Sequence, residues 1–62
     1  FEYRVIGYLL KRDQPVERRV TDCKTKNEAV LSAHFFVEQY GESAYALIHD
    51  RFGFIVEEIR KP

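Results

Sequence analysis

The segment from about Lys26 to Tyr40 is marked as a helix at both ends and along its length. Thr25-Lys26-Asn27-Glu28 matches a capping box, with a Thr hydroxyl for the amide three residues on and a Glu reaching back. Gly41 follows Tyr40 and suits the left-handed stop position. Between these signals, Ala29, Val30, Ala33, Phe36, Val37 and Tyr40 recur at spacings of three and four, which makes one apolar stripe. At about 100° per residue those six fall within an arc of roughly 120°. Leu31 and Phe35 do not. Four apart, they are neighbours on the helix surface, yet they point about 160° away from the middle of the stripe. A helix lying on one small sheet buries one stripe, so this second apolar pair asks for a second partner.

The chain is expected to be one domain spanning residues 1–62. A domain of this size buries only about 60% of the surface its unfolded chain exposes, so its stability is marginal. Small domains often compensate with disulfides, metal or oligomerisation. Cys23 is the only cysteine and cannot form an internal disulfide. No Cys/His cluster with zinc-ligand spacing is present. Self-association, or a well-packed core built on nine Phe and Tyr rings, is what remains.

Net charge is zero, which argues against a dedicated duplex-DNA binder. The charges are unevenly placed, however. Residues 1–26 hold seven Lys/Arg against four Asp/Glu, and residues 27–62 hold three against six, so the two parts carry +3 and −3. Such a chain presents opposite patches to partners or to a second copy of itself. No run of eighteen apolar residues suggests a membrane span, and the first residues lack the pattern of a signal peptide. A lone cysteine fits a reducing compartment, so a cytoplasmic location is expected. The absence of Met suggests that these residues are the ordered part of a slightly longer chain.

Phe1 to Leu10 reads as a strand, with Phe1, Tyr3, Val5 and Leu9 on one face and Glu2, Arg4, Ile6, Tyr8 and Leu10 on the other. Gly7 marks a bulge or the close approach of another backbone. Lys11 to Pro15 is the expected turn, and Val16 to Val20 a second, polar edge strand. Thr21 to Lys24 then links to the helix. Ala44 to His49 is a third strand, Asp50-Arg51-Phe52-Gly53 a hairpin turn with Gly53 at positive φ, and Phe54 to Ile59 or Arg60 a fourth strand. The order ββαββ defines an α+β domain with one helix packed on one face of an antiparallel sheet. The strands repeat the surplus seen on the helix. Ile6, Tyr8 and Leu10 oppose Tyr3, Val5 and Leu9, and Phe54 and Val56 oppose Ile55 and Ile59.

Catalytic chemistry finds little support. His34 and His49 are fifteen residues apart on different elements, with Cys23 expected in the loop before the helix, so neither a metal site nor a Cys–His nucleophile is expected. His34 and Glu38 are placed to pair along the helix. Cys23 reads as an inert small residue. Glu57 and Glu58 are adjacent on a strand and point to opposite faces, so they form no acid–base pair. The chain lacks a nucleophile elbow, a phosphate-cradling loop and a dinucleotide fingerprint. No cofactor and no enzymatic activity are expected.

Arg51-Phe52-Gly53-Phe54-Ile55-Val56 resembles part of the aromatic submotif of RNA-recognition-motif domains, in which aromatics on a sheet stack on unpaired bases. Six residues carry this likeness; Arg51 stands where the motif has Gly, and Glu57 where it has its last aromatic. That family's two-helix topology needs more chain than this, and the segment reads foremost as a hairpin turn with flanking core aromatics. Arg4, Arg12, Arg18 and Arg19 concentrate on the first hairpin with Tyr8 among them. With Arg51 and Phe52 they form a candidate surface for single-stranded nucleic acid or an acidic partner. Arg18 and Arg19 are expected on opposite faces.

The reading that results is a non-catalytic protein-interaction module. Leu31 and Phe35 are its apolar anchor, rimmed by His34 and Glu38, with a homodimer as the simplest arrangement. Its helix start, Thr25-x-x-Glu28-Ala29 after a polar hairpin, is similar to that of many small bacterial and phage accessory and inhibitor proteins. Nucleic-acid binding through the first hairpin and the Phe52/Phe54 turn is the alternative.

Overall fold

A computed structural model describes all of residues 1–62. Strands β1 (Tyr3–Lys11) and β2 (Gln14–Cys23) form a hairpin, followed by helix α1 (Lys26–Tyr40), a 3-10 turn (Gly41–Ser43) and strands β3 (Ala44–Asp50) and β4 (Ile55–Arg60). All neighbours are antiparallel, in the order β2-β1-β3-β4, and the helix packs on one face. The expected ββαββ α+β fold is therefore what the chain adopts. No helix is long and apolar enough to cross a membrane.

The helix has the bounds its sequence signals. Thr25 Oγ1 accepts a hydrogen bond from the Glu28 amide at 3.1 Å, and Gly41 sits at φ +80° with its amide donating to the Val37 carbonyl. The Glu28 half of the box differs from expectation. Its carboxylate takes a hydrogen bond from the Thr25 hydroxyl at 3.4 Å rather than from the Thr25 backbone amide.

The first hairpin is tighter and longer than expected. Arg12 and Asp13, both at positive φ, are its only turn residues, and Lys11 pairs with Gln14. Positive φ at both central positions is what a two-residue hairpin turn needs to match the twist of its strands. Pro15 consequently lies inside β2, which is tolerable because β2 is an edge strand. Cys23 is not in a loop. It ends β2 opposite Tyr3 and is buried. In the second hairpin Gly53 has φ +91°, and Asp50 Oδ1 accepts from the amides of Phe52 and Phe54 at 2.9 and 3.0 Å. The Asp side chain thus closes the turn that its sequence marks.

The core lies between α1 and the inner face of the sheet. Val5, Gly7, Ala44, Ala46, Ile48 and Ile59 meet Ala29, Ala33, Phe36 and Val37, with Tyr3, Leu9, Val30 and Tyr40 at its margin. No polar or charged side chain is buried. Small residues line both sides of the contact, so helix and sheet approach closely and Phe36 fills the space between them. A Cβ on Gly7 would lie only 2.6 Å from two atoms of the Phe36 ring. The close approach anticipated at Gly7 is therefore made by a side chain, not a backbone. The bulge it was also expected to mark is present. Gly7 pairs with Arg19 and Tyr8 with Glu17, leaving Arg18 as the extra residue.

This seat generates a stability prediction. Gly7→Ala should lower the unfolding free energy by about 1–3 kcal/mol, the usual cost of overpacking. Combined with Phe36→Leu it should cost less than the sum of the two single changes, because each relieves the other's crowding. Urea titrations of the three variants measure this directly.

Candidate interaction surface

Fixing Phe36 over Gly7 fixes the rotation of the helix. Ala29, Ala33, Phe36 and Val37 are buried, and Leu31 and Phe35 are left 71% and 69% exposed. The outer face also carries Asn27, Glu28, Glu38 and Gln39, all exposed. His34 lies on the flank of this face and is exposed. It forms no ion pair with Glu38. Glu38 instead lies 3.8 Å from Lys61 Nζ, beyond the end of β4.

The open face of the sheet is covered in part by its own residues. Tyr8 pairs with Tyr45 across β1 and β3, their rings stacked with centroids 5.2 Å apart, and the Arg60 guanidinium lies 4.5 Å over the Tyr45 ring. Burial, and secondarily Glu17 and Tyr45, push the Tyr8 hydroxyl above the ordinary phenol range. Ile6 lies between Val20 and Leu47 in register. Ile6, Tyr8, Tyr45 and Leu47 are all half-buried, while Val20 and Ile55, in register with Ile6 and His49 on the same face, are exposed.

The remaining candidates fall into separate groups. Arg4 lies on the open face, where its Nε donates to Asp22 Oδ1 at 2.7 Å and its Nη2 to Oδ2 at 3.3 Å. That pairing raises the Arg4 guanidinium and holds the Asp22 carboxyl below the usual carboxylate range. Arg51 stacks on the Phe52 ring at 4.9 Å and lies 3.6 Å from Glu2. Arg4, Arg51 and Phe52, together with Phe1, Ile6 and His49, line a shallow concavity of about 340 Å³ beside the β3–β4 turn. His49 Nδ1 is 3.4 Å from the Gly53 carbonyl oxygen, and its Nε2 is buried without a hydrogen-bond partner.

Arg18 and Arg19 are elsewhere and not on opposite faces. With Arg18 bulged beside Arg19, which stays paired with Gly7, both guanidiniums reach the helix side, Arg18 5.8 Å from the Tyr40 ring and Arg19 5.7 Å from the Phe36 ring. Arg19 Nη2 also donates to Gln39 Oε1 at 3.3 Å. They flank the last turn of α1, which has no basic residue of its own. Arg12 is in the first turn, remote in register from Arg4. The basic patch suggested by sequence is thus divided among three places.

Phe1, Leu10, Val16, Val20, Ile55 and Val56 are exposed apolar side chains that the sequence reading does not name as site residues, whereas Phe54 is named with Phe52. Phe54 is as bare as Phe52, at 71%. The signal for Ile55 and Val56 is the alternation of β4, which leaves apolar residues on both faces of what proves to be an edge strand. Cys23, near the helix start, is desolvated by burial, which raises its thiol above the ordinary cysteine range, as do Glu28 and Asp22. Burial and the two carboxylates all disfavour the thiolate, the nucleophilic form. No group of three or more His, Cys, Asp or Glu side chains is placed to hold a metal ion. No protein-family model matches the chain, and no curated protein or solved structure matches it significantly.

Proposed function

We propose that this domain is a non-catalytic protein-interaction module that binds through the outer face of α1. The observation that carries this reading is the exposure of Leu31 and Phe35 on a helix whose opposite stripe already fills the core. Single exposed apolar residues are common on monomers. Here two large ones stack four residues apart on a rigid, doubly capped helix, ringed by polar groups, and that is the anatomy of an anchor with a polar rim. The mechanism is steric: the module occupies a partner's surface and excludes others from it.

The two side chains contribute nothing to the core, so their replacement separates binding from folding. Leu31→Glu with Phe35→Glu should leave the urea midpoint within the range of ordinary surface substitutions, about 0.5 kcal/mol. The same double change should abolish capture of partner protein by the immobilised domain from its native lysate. Equal capture by both forms would show that the outer helix face is not the binding surface.

A second reading rests on the concavity formed by Arg4, Arg51, Phe52 and Phe1, which places cations and rings together as a single-stranded nucleic acid site does. Under that reading a labelled single-stranded oligonucleotide binds, and its affinity falls steeply with salt. Arg51→Ala and Phe52→Ala each weaken it. Binding that is absent at low salt removes this reading.

A further inference from the structure

The outer face of α1 is chemically symmetric about Ala33. Counting outward from that residue, Leu31 matches Phe35, Glu28 matches Glu38, and Asn27 matches Gln39. At about 100° per residue all six fall within roughly 60° of the direction opposite Ala33. A face with apolar centre, acidic flanks and amide ends reads nearly the same in both directions. That is the property needed to pair with another helix running antiparallel.

The same symmetry decides who the partner is. In an antiparallel pair of identical helices related by a two-fold axis at position 33, Leu31 of one copy packs on Phe35 of the other. Glu28 of each copy then faces Glu38 of the other, so the apolar contact comes with two like-charge pairs. Glu38 has one cation nearby, Lys61 at 3.8 Å, whereas Glu28 has none within ion-pair distance and only the Thr25 hydroxyl beside its carboxylate. The wider charge distribution has the same sign. Residues 26–43 hold one Lys and three Glu, a net of −2, while residues 1–25 hold six Lys/Arg and four Asp/Glu, a net of +2.

We infer that the occupant of this face is a different protein chain, presenting an amphipathic helix with two apolar residues four apart and a basic residue three positions outside each of them. This rests on the reading of the outer helix face as the binding surface, and adds the partner's charge and apolar spacing to it. Like-charge juxtaposition at Glu28 and Glu38 is what excludes the chain's own second copy, and opposite charge at the same two places is what admits the partner.

A variant of the protein itself supplies the partner pattern. Glu28→Lys with Glu38→Lys places basic residues at the required spacing around Leu31 and Phe35. Sedimentation velocity at neutral pH and low salt compares wild type, this variant, and their equimolar mixture, after urea titration has shown both to be folded. The mixture should associate at least about tenfold more tightly than either protein alone, a difference of about 1.4 kcal/mol, and should lose that advantage in high salt. Glu28→Gln with Glu38→Gln, which removes the repulsion without adding a cation, should self-associate more than wild type. Wild type that self-associates as tightly as the mixture would overturn the inference and make a second copy the occupant. A mixture that does not associate also overturns it. The binding-surface reading would survive either result if Leu31→Glu with Phe35→Glu still abolished association or partner capture, and would fall with the inference if it did not.

Discussion

The seat of Phe36 on Gly7 determines most of the rest of the molecule. A glycine in the middle of an inner strand normally weakens a sheet. Here the missing side chain makes room for a ring, and the flanking Ala44, Ala46, Ala29 and Ala33 let the helix backbone come close enough to put it there. Gly7 faces Ala46 on one neighbouring strand and Arg19 on the other, at the point where the ladder with β2 slips by one residue. The slip places the extra residue, Arg18, next to Arg19, and both guanidiniums lie against the aromatic rings at the end of the helix. One small residue therefore sets the helix height, the helix rotation and the position of two cations.

Helix rotation is the link from packing to binding. With Phe36 pinned inward, Leu31 and Phe35 have no freedom to turn toward the sheet without lifting the ring from its seat. Their exposure is a consequence of a well-satisfied core. Apolar surplus on the sheet is dealt with differently. Tyr8 stacks on Tyr45 under the Arg60 guanidinium, and Ile6 is half-covered by its neighbours, so the open face consumes much of its own excess. Leu31 and Phe35 have no such cover and are left 71% and 69% exposed.

Much of this was readable from the chain. The helix, its ends, its inner stripe and its outer pair follow from spacing and capping chemistry, which are local and periodic. The Asp50–Gly53 turn follows from a side chain that hydrogen-bonds its own turn and a glycine where φ must be positive. The first hairpin was harder to read, because Arg12-Asp13 adopts the positive φ values that Asn-Gly would have announced. Its tightness extended β2 through Pro15 at one end and Cys23 at the other. Where Arg18 points depends on a bulge, and a one-residue slip reverses facing. The bareness of Phe54, Ile55 and Val56 depends on β4 being an edge strand, and strand order is a tertiary property that no local pattern encodes. The candidate site divides in the same way. The outer apolar pair on the helix was visible in one element, while the dispersal of the basic residues required all four strands.

The central claim is that one helix has two roles, its inner stripe building the core and its outer face receiving a partner. Backbone amide chemical shifts test it most directly. When the isotope-labelled wild-type domain is titrated with the unlabelled Glu28→Lys, Glu38→Lys protein, the shifts should change along the outer positions of α1, Asn27, Glu28, Leu31, Phe35, Glu38 and Gln39. Those of Val5, Gly7 and Ile48 should remain unmoved. Changes centred instead on Tyr8, Tyr45 and Leu47, or on Phe52 to Val56, would place the binding surface on the sheet or its turn and contradict the account.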